Sequence, residues 1–151
     1  MSDYLTIRFI NAVFHEQLSE DAKVRLLNVE TSDLKRQLRM DLLLEVCGRR
    51  FHLEGQSTEN EIMTIRMFEY GMASAMDERQ YEDYHLTLTF PKQAVIYLRD
   101  KVNTPDHLPV TVLFPDGQKV DYAIPTIRQL RYTPEELQKS GMSLLLPFQI
   151  L

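Results

Sequence analysis

Cysteine occurs once in the 151 residues, as Cys47, so neither an intrachain disulfide nor a multi-cysteine zinc cluster can form. That usage fits a reducing compartment, and the cytoplasm is the expected location. Glycine is scarce as well, and the five present never take GxGxxG or GxxxxGK[ST] spacing, which removes the usual phosphate-cradling loops. The four histidines, His15, His52, His85 and His107, show neither HxxxH nor HExxH spacing, so a zinc hydrolase is not expected. Missing too are a basic start followed by an apolar run and any window near the roughly 18 apolar residues of a membrane span. No membrane partner is expected. Basic charge is not in excess either: a net charge of -5 argues against binding nucleic acid over the whole surface.

What is present suits one globular domain, with 44% hydrophobic and 26% charged residues over a length able to bury a core unaided. Five of the 17 Lys and Arg, namely Lys35, Arg36, Arg39, Arg49 and Arg50, fall between residues 35 and 50. The cluster is either a local phosphate footprint or a solvated loop and hairpin tip. Residues 4–15 place Leu5, Phe9, Ala12 and Val13 at helical spacing, although Ile7 and Ile10 blur the stripe. Residues 20–27 read as a second short helix and 31–37 as a loop or turn.

From Arg39 the character changes. Met40 to Val46 is an apolar run of strand length, Cys47-Gly48-Arg49-Arg50 reads as a turn, and residues 51–56 alternate, which predicts a β-hairpin. Thr58 and Glu61 fit a capping box ahead of a helix whose apolar face is Ile62, Ile65, Met67, Phe68, Met72, Ala75 and Met76. Its methionines, Met63, Met67, Met72 and Met76, read as adaptable core filling. Asp77-Glu78 and Glu82-Asp83 read as solvated ends of a helix and a loop. Strands are expected over residues 85–90, 93–98, 109–114 and 119–124, the last two joined by Pro115-Asp116-Gly117. Thr133, Pro134 and Gly141 bracket a short helix. The apolar run 144–151 leads us to expect either that the chain is the N-terminal part of a longer protein or that this tail docks on a partner.

With the hairpin turn placed between Gly48 and Arg49, Asp41 faces Gln56, Leu43 faces Glu54 and Glu45 faces His52. The two-residue period then gathers Asp41, Glu45, His52, Glu54 and Gln56 on one face, around Leu43. Leu42, Leu44, Val46, Phe51, Leu53 and Gly55 take the other. The polar face is either solvated, as antiparallel sheets allow, or a divalent metal site. Carboxylates on neighbouring strands can hold Mg²⁺ while water and phosphate oxygens complete its shell. Gln56 could orient a water but cannot act as a general base. Cys47 reads as a turn residue, and His52 is of interest only for sharing that face. The methionine-rich helix is expected over the opposite face.

These residues, Asp41 followed by Glu54-Gly55-Gln56, resemble the D…ExQ signature of the Rpn recombination-promoting nuclease and putative transposase group of PD-(D/E)XK nucleases, in which glutamine commonly stands at the lysine position. The likeness extends through Arg66 and Tyr70, residues 88–99, 120–125 and 144–148. It implies a restriction-endonuclease-like α/β core with a mixed central β-sheet flanked by helices, in a single domain over 1–151. It implies Asp41 and Glu54 as ligands of Mg²⁺, for which Mn²⁺ can substitute, and Gln56 as the third catalytic residue. Arg66 and Tyr70, one helical turn apart, would face the site or phosphate, unless packing or a surface ion pair explains them. A further acidic ligand before residue 40 could be Glu30. The implied activity is Mg-dependent endonucleolytic hydrolysis of DNA linked to recombination or transposition. Arg39, Arg49 and Arg50 would approach the DNA backbone, and a homodimer would cut two strands. The competing expectation is an inactive nuclease-fold module acting in protein association, with its apolar tail as the interface.

Overall fold

Asp3–Phe14 forms helix α1, and Ile7 and Ile10, which blur its stripe in the sequence, are fully buried together with Phe9, Val13 and Phe14 close by. The computed structural model describes residues 2–27, 40–57, 61–99, 101 and 103–150, and the backbone alone at residues 40, 41, 148 and 150. After α1 come strands β1 (Val24–Leu26), β2 (Met40–Val46) and β3 (Arg49–Gln56), then helix α2 (Met63–Asp77). Strands β4 (Gln80–Glu82), β5 (His85–Thr87), β6 (Lys92–Tyr97), β7 (His107–Leu113) and β8 (Lys119–Arg128) follow, and the chain closes with helix α3 (Pro134–Ser140) and a 3-10 segment, Ser143–Ile150.

Among the described residues six strands form one mixed sheet in the order β1-β2-β3-β6-β8-β7. The first three are antiparallel, β6 runs parallel to β3 and β8 parallel to β6, and β7 returns antiparallel at the edge. The parallel step from β3 to β6 requires a crossover, which α2 supplies. The protein is therefore an α/β fold with a helix on each face of a mixed sheet. No helix among the described residues is long and apolar enough to cross a membrane.

The main core lies under α1, where Ile7, Ile10 and Phe14 meet Leu44, Val46, Phe51, Leu53, Ala94 and Ile96. This is the apolar hairpin face expected from the alternation, and each large side chain so buried contributes roughly 1.5–3 kcal/mol. Helix α3 begins with a complete capping box, Glu136 N–H donating to Thr133 Oγ1 at 3.1 Å and Thr133 N–H to Glu136 Oε2 at 2.7 Å. It ends at Gly141, whose φ of 86° would strain any other residue and where a Cβ would stand only 3.2 Å from the Arg8 carbonyl, a tight contact.

Several expectations are corrected. Residues 20–27 do not form a helix: Val24 and Leu26 pair with Val46 and Leu44, because the open edge of β2 offers backbone partners that a helix of two turns could not match. Helix α2 begins at Met63 with Ile62 at the N-cap position and no side-chain cap, while Thr58 lies outside the described residues. Ile62, Ile65 and Met76 are exposed; the inward residues are Met63, Met67, Gly71, Ser74 and Ala75. Residues 85–90 do not extend the main sheet. His85–Thr87 instead pairs with Gln80–Glu82 in a separate hairpin, so Glu82 lies in a strand rather than a loop. The first part of the apolar run packs inward: Met142 and Leu145 are buried in the main core, with Leu144 and Leu146 packed against it, while Leu151 lies outside the described residues. Finally, α2 covers the polar face of the hairpin, not the opposite one; α1 occupies that side.

Candidate functional site

The hairpin turn consists of Cys47 and Gly48, both at positive φ (52° and 73°), as a type I′ turn requires. Arg49 and Arg50 thus belong to β3, and the register differs from the expected one by two residues. Asp41 stands opposite Glu54, Leu43 opposite His52 and Glu45 opposite Arg50. A two-residue shift leaves every position on its original face, so position 41 and Glu54 are direct cross-strand neighbours on the face that α2 covers.

Helix α2 runs back along β3 with matched spacing. Four helical residues rise about 6 Å and two strand residues about 6.6 Å, so Arg66, Tyr70 and Ser74 fall in step with Glu54, His52 and Arg50. Arg66 Nη2 lies 2.6 Å from Glu54 Oε1. The Tyr70 ring meets the His52 ring edge-on at 5.7 Å. Arg50 reaches Ser74 Oγ at 3.3 Å and is held by Asp77 at 2.8 Å, Glu78 at 3.0 Å and Glu45 at 3.8 Å. Gly71 allows the approach, since a Cβ there would stand 2.9 Å from the Phe90 ring and 3.0 Å from the Gln93 amide.

Glu54 is fully buried. Its Oε1 also accepts from Gln56 Nε2 at 3.2 Å, and the Arg66 guanidinium stacks on Tyr70 at 5.9 Å. Beside this pair a buried amide, Gln93, organises a second layer. Its Nε2 donates to the Met67 carbonyl at 2.6 Å and contacts His52 Nδ1 at 3.1 Å, while its Oε1 accepts from the Tyr122 hydroxyl at 2.9 Å. With Nε2 as donor, His52 Nδ1 is the acceptor and the imidazole proton sits on Nε2. Burial, reinforced by the Arg66 charge, pushes the His52 pKa down to about 4, so the ring is neutral at pH 7.

Of the residues singled out from the sequence, Glu54, Gln56, Arg66 and Tyr70 are brought together, and the register sets position 41 beside them. Arg49 is on the other face: Glu16 accepts from its Nη1 and Nη2 at 2.7 and 2.6 Å, and its guanidinium lies over the Phe51 ring at 5.4 Å. Arg50 is on the site's face but is engaged by carboxylates of this chain. Glu30, Lys35, Arg36 and Arg39 lie outside the described residues. Sequence reasoning missed Gln93, Ser74 and Tyr122. The signal that could have found the first contacts is the pairing of a four-residue polar period, Arg66-Tyr70-Ser74, with a two-residue polar period, Glu54-His52-Arg50.

The donor chemistry suits Mg²⁺, since carboxylate and amide oxygens are the hard ligands it prefers. Among the described residues no group of three or more His, Cys, Asp or Glu side chains is gathered as a metal site.

On the other face of the hairpin Glu16 accepts from Arg49 and Lys92. Hydrogen bonds from Arg49 and Lys92 lower its pKa to about 2. A carboxyl depressed on folding stabilises the protein above its unfolded pKa of about 4.5, and that contribution is lost as pH falls toward 2. Because Arg49 and Lys92 are nearly half exposed, the contribution is about 1 kcal/mol. Glu16→Gln should reduce stability by that amount at pH 7, with the gap to wild type more than roughly half closed by pH 3. Urea unfolding at stepped pH measures this, and a gap unchanged at pH 3 would contradict it.

Comparison with models of known protein families, with curated proteins and with solved structures returned no match.

Proposed function

We propose that the protein is a metal-dependent endodeoxyribonuclease that hydrolyses DNA phosphodiester bonds, with Asp41 and Glu54 as ligands of Mg²⁺ and a role in recombination or transposition. The observation that carries this reading is the register that sets Asp41 directly across from the buried Glu54, together with the Gln56 side chain hydrogen-bonded to Glu54 Oε1. A nuclease-like core of the PD-(D/E)XK kind agrees with the mixed sheet and its two covering helices. When bound, the ion would neutralise charge on the phosphate and acidify a water. Gln56 would hold Glu54 in place and orient a water through its amide, while Tyr70 steadies the Arg66 plane. Arg66 brings positive charge to the phosphate's side of the site.

A second reading is an inactive nuclease-fold module acting in protein association. Its support is the exposure of Tyr81, Tyr84 and Leu86 on the β4–β5 hairpin and of Leu113, Phe114 and Val120 on the β7–β8 hairpin.

Nicking of supercoiled plasmid with Mg²⁺ or Mn²⁺ separates the two. Wild type should nick, and Asp41→Ala and Glu54→Gln, each checked for folding by circular dichroism, should lose at least about a hundredfold in rate. A wild type that neither nicks nor binds metal, but self-associates through the hairpin tips, would replace the nuclease by the module.

A further inference from the structure

Arg66 makes a contact that phosphodiester hydrolysis does not require. Its Nη2 is 2.6 Å from Glu54 Oε1, with the Glu54 side chain fully buried and that of Arg66 12% exposed. Gln56 donates to that same oxygen. Yet neither Nη1 nor Nη2 of Arg66 meets an acceptor in hydrogen-bonding geometry among the described residues. Charge, not a directed set of hydrogen bonds, holds the guanidinium here. An arginine fixed purely for structure would have its buried donors satisfied. One that is not satisfied is the easier to displace.

A buried carboxylate requires a cation beside it, and the requirement is met equally by a guanidinium or by a metal ion. Both together at one carboxylate oxygen repel each other, and in a site closed off from water that repulsion is only weakly screened.

We infer that Arg66 is the resident counter-ion of Glu54, a guanidinium that restrains the binding of divalent cations at this carboxylate and must move aside when one binds. The inference rests on the proposal that Glu54 is a metal ligand. It makes metal affinity a property set by Arg66: the protein alone binds divalent ions weakly, and removal of the positive charge tightens binding without any new ligand.

The test is Mn²⁺ affinity at pH 8, read from the electron paramagnetic resonance of free Mn²⁺, with thermal unfolding recorded with and without the ion. Arg66→Gln should bind Mn²⁺ about tenfold more tightly than wild type and gain a larger rise in Tm from it. Arg66→Lys, which keeps the charge, should stay close to wild type. Arg66→Gln takes a positive charge away from the buried Glu54 carboxylate and will be less stable in metal-free buffer. If it is unfolded there, refolding on addition of Mn²⁺ is the expected result, and failure to refold overturns the inference. Equal affinities in wild type and Arg66→Gln overturn the inference but leave Glu54 as a ligand. No Mn²⁺ binding by either overturns the metal reading and the inference with it. Glu54→Gln/Arg66→Gln should lose the tight binding; if it retains it, the ion sits elsewhere and the inference fails.

Discussion

Glu54→Leu should lower the unfolding free energy by about 3–5 kcal/mol. The substitution removes a fully buried carboxylate and strands the Arg66 guanidinium, which stands 2.6 Å from it and is 12% exposed. Desolvation of that charge then goes uncompensated. The double variant Glu54→Leu/Arg66→Met places two apolar side chains of similar volume where the ion pair stood, and it should recover most of the loss. Urea unfolding of wild type, both singles and the double gives the coupling as a double-mutant cycle. A loss below about 1 kcal/mol in Glu54→Leu would mean that Arg66 escapes to water and that the pair contributes little to folding.

Gln93→Leu should destabilise by about 3 kcal/mol, although leucine fits the site in volume. Gln93 is 2% exposed and joins three elements: α2 through the Met67 carbonyl, β3 through His52 Nδ1 and β8 through the Tyr122 hydroxyl. Leucine satisfies none of them, and the buried His52 nitrogen bears most of the penalty, since the half-buried Tyr122 hydroxyl can turn to water. Tyr122→Phe should therefore be milder, at about 1 kcal/mol. Equal losses in the two variants, measured by urea unfolding, would show that the Tyr122 bond alone matters.

The hairpin shows how far the sequence could be read. Alternation along residues 40–56 separated an apolar face, which packs under α1 through Leu44, Val46, Phe51 and Leu53, from a polar one. It could not choose between Asp41 opposite Gln56 and Asp41 opposite Glu54. Both registers keep every side chain on its face, so hydrophobic pattern is blind to a two-residue shift. The choice lies in the backbone of Cys47 and Gly48, both able to hold positive φ.

Helix α2 shows the opposite limit. Its apolar residues suggested an inward face of Ile62, Ile65, Met67, Phe68, Met72, Ala75 and Met76; Met67 and Ala75 are buried, yet Ile62, Ile65 and Met76 are exposed, and Arg66, Tyr70 and Ser74 turn toward β3. The helix docks across a strand that is itself polar, so its inward face had to supply charge and hydrogen bonds to match. The residues of one segment cannot reveal that requirement, because the partner is contributed by another.

By itself the sequence determined the local elements: α1, the β2–β3 hairpin and its faces, β6, and the capped helix at Thr133. Each follows from periodicity, turn chemistry or capping within a few residues. The tertiary structure alone decided which helix covers the polar face, that Val24–Leu26 pairs as an edge strand, and that Glu54 is neutralised by Arg66 beside a layer built on Gln93. Those outcomes depend on burial, and burial is set by what each segment meets from elsewhere in the chain: desolvation makes an unpaired Glu54, His52 or Gln93 costly enough to dictate its neighbours.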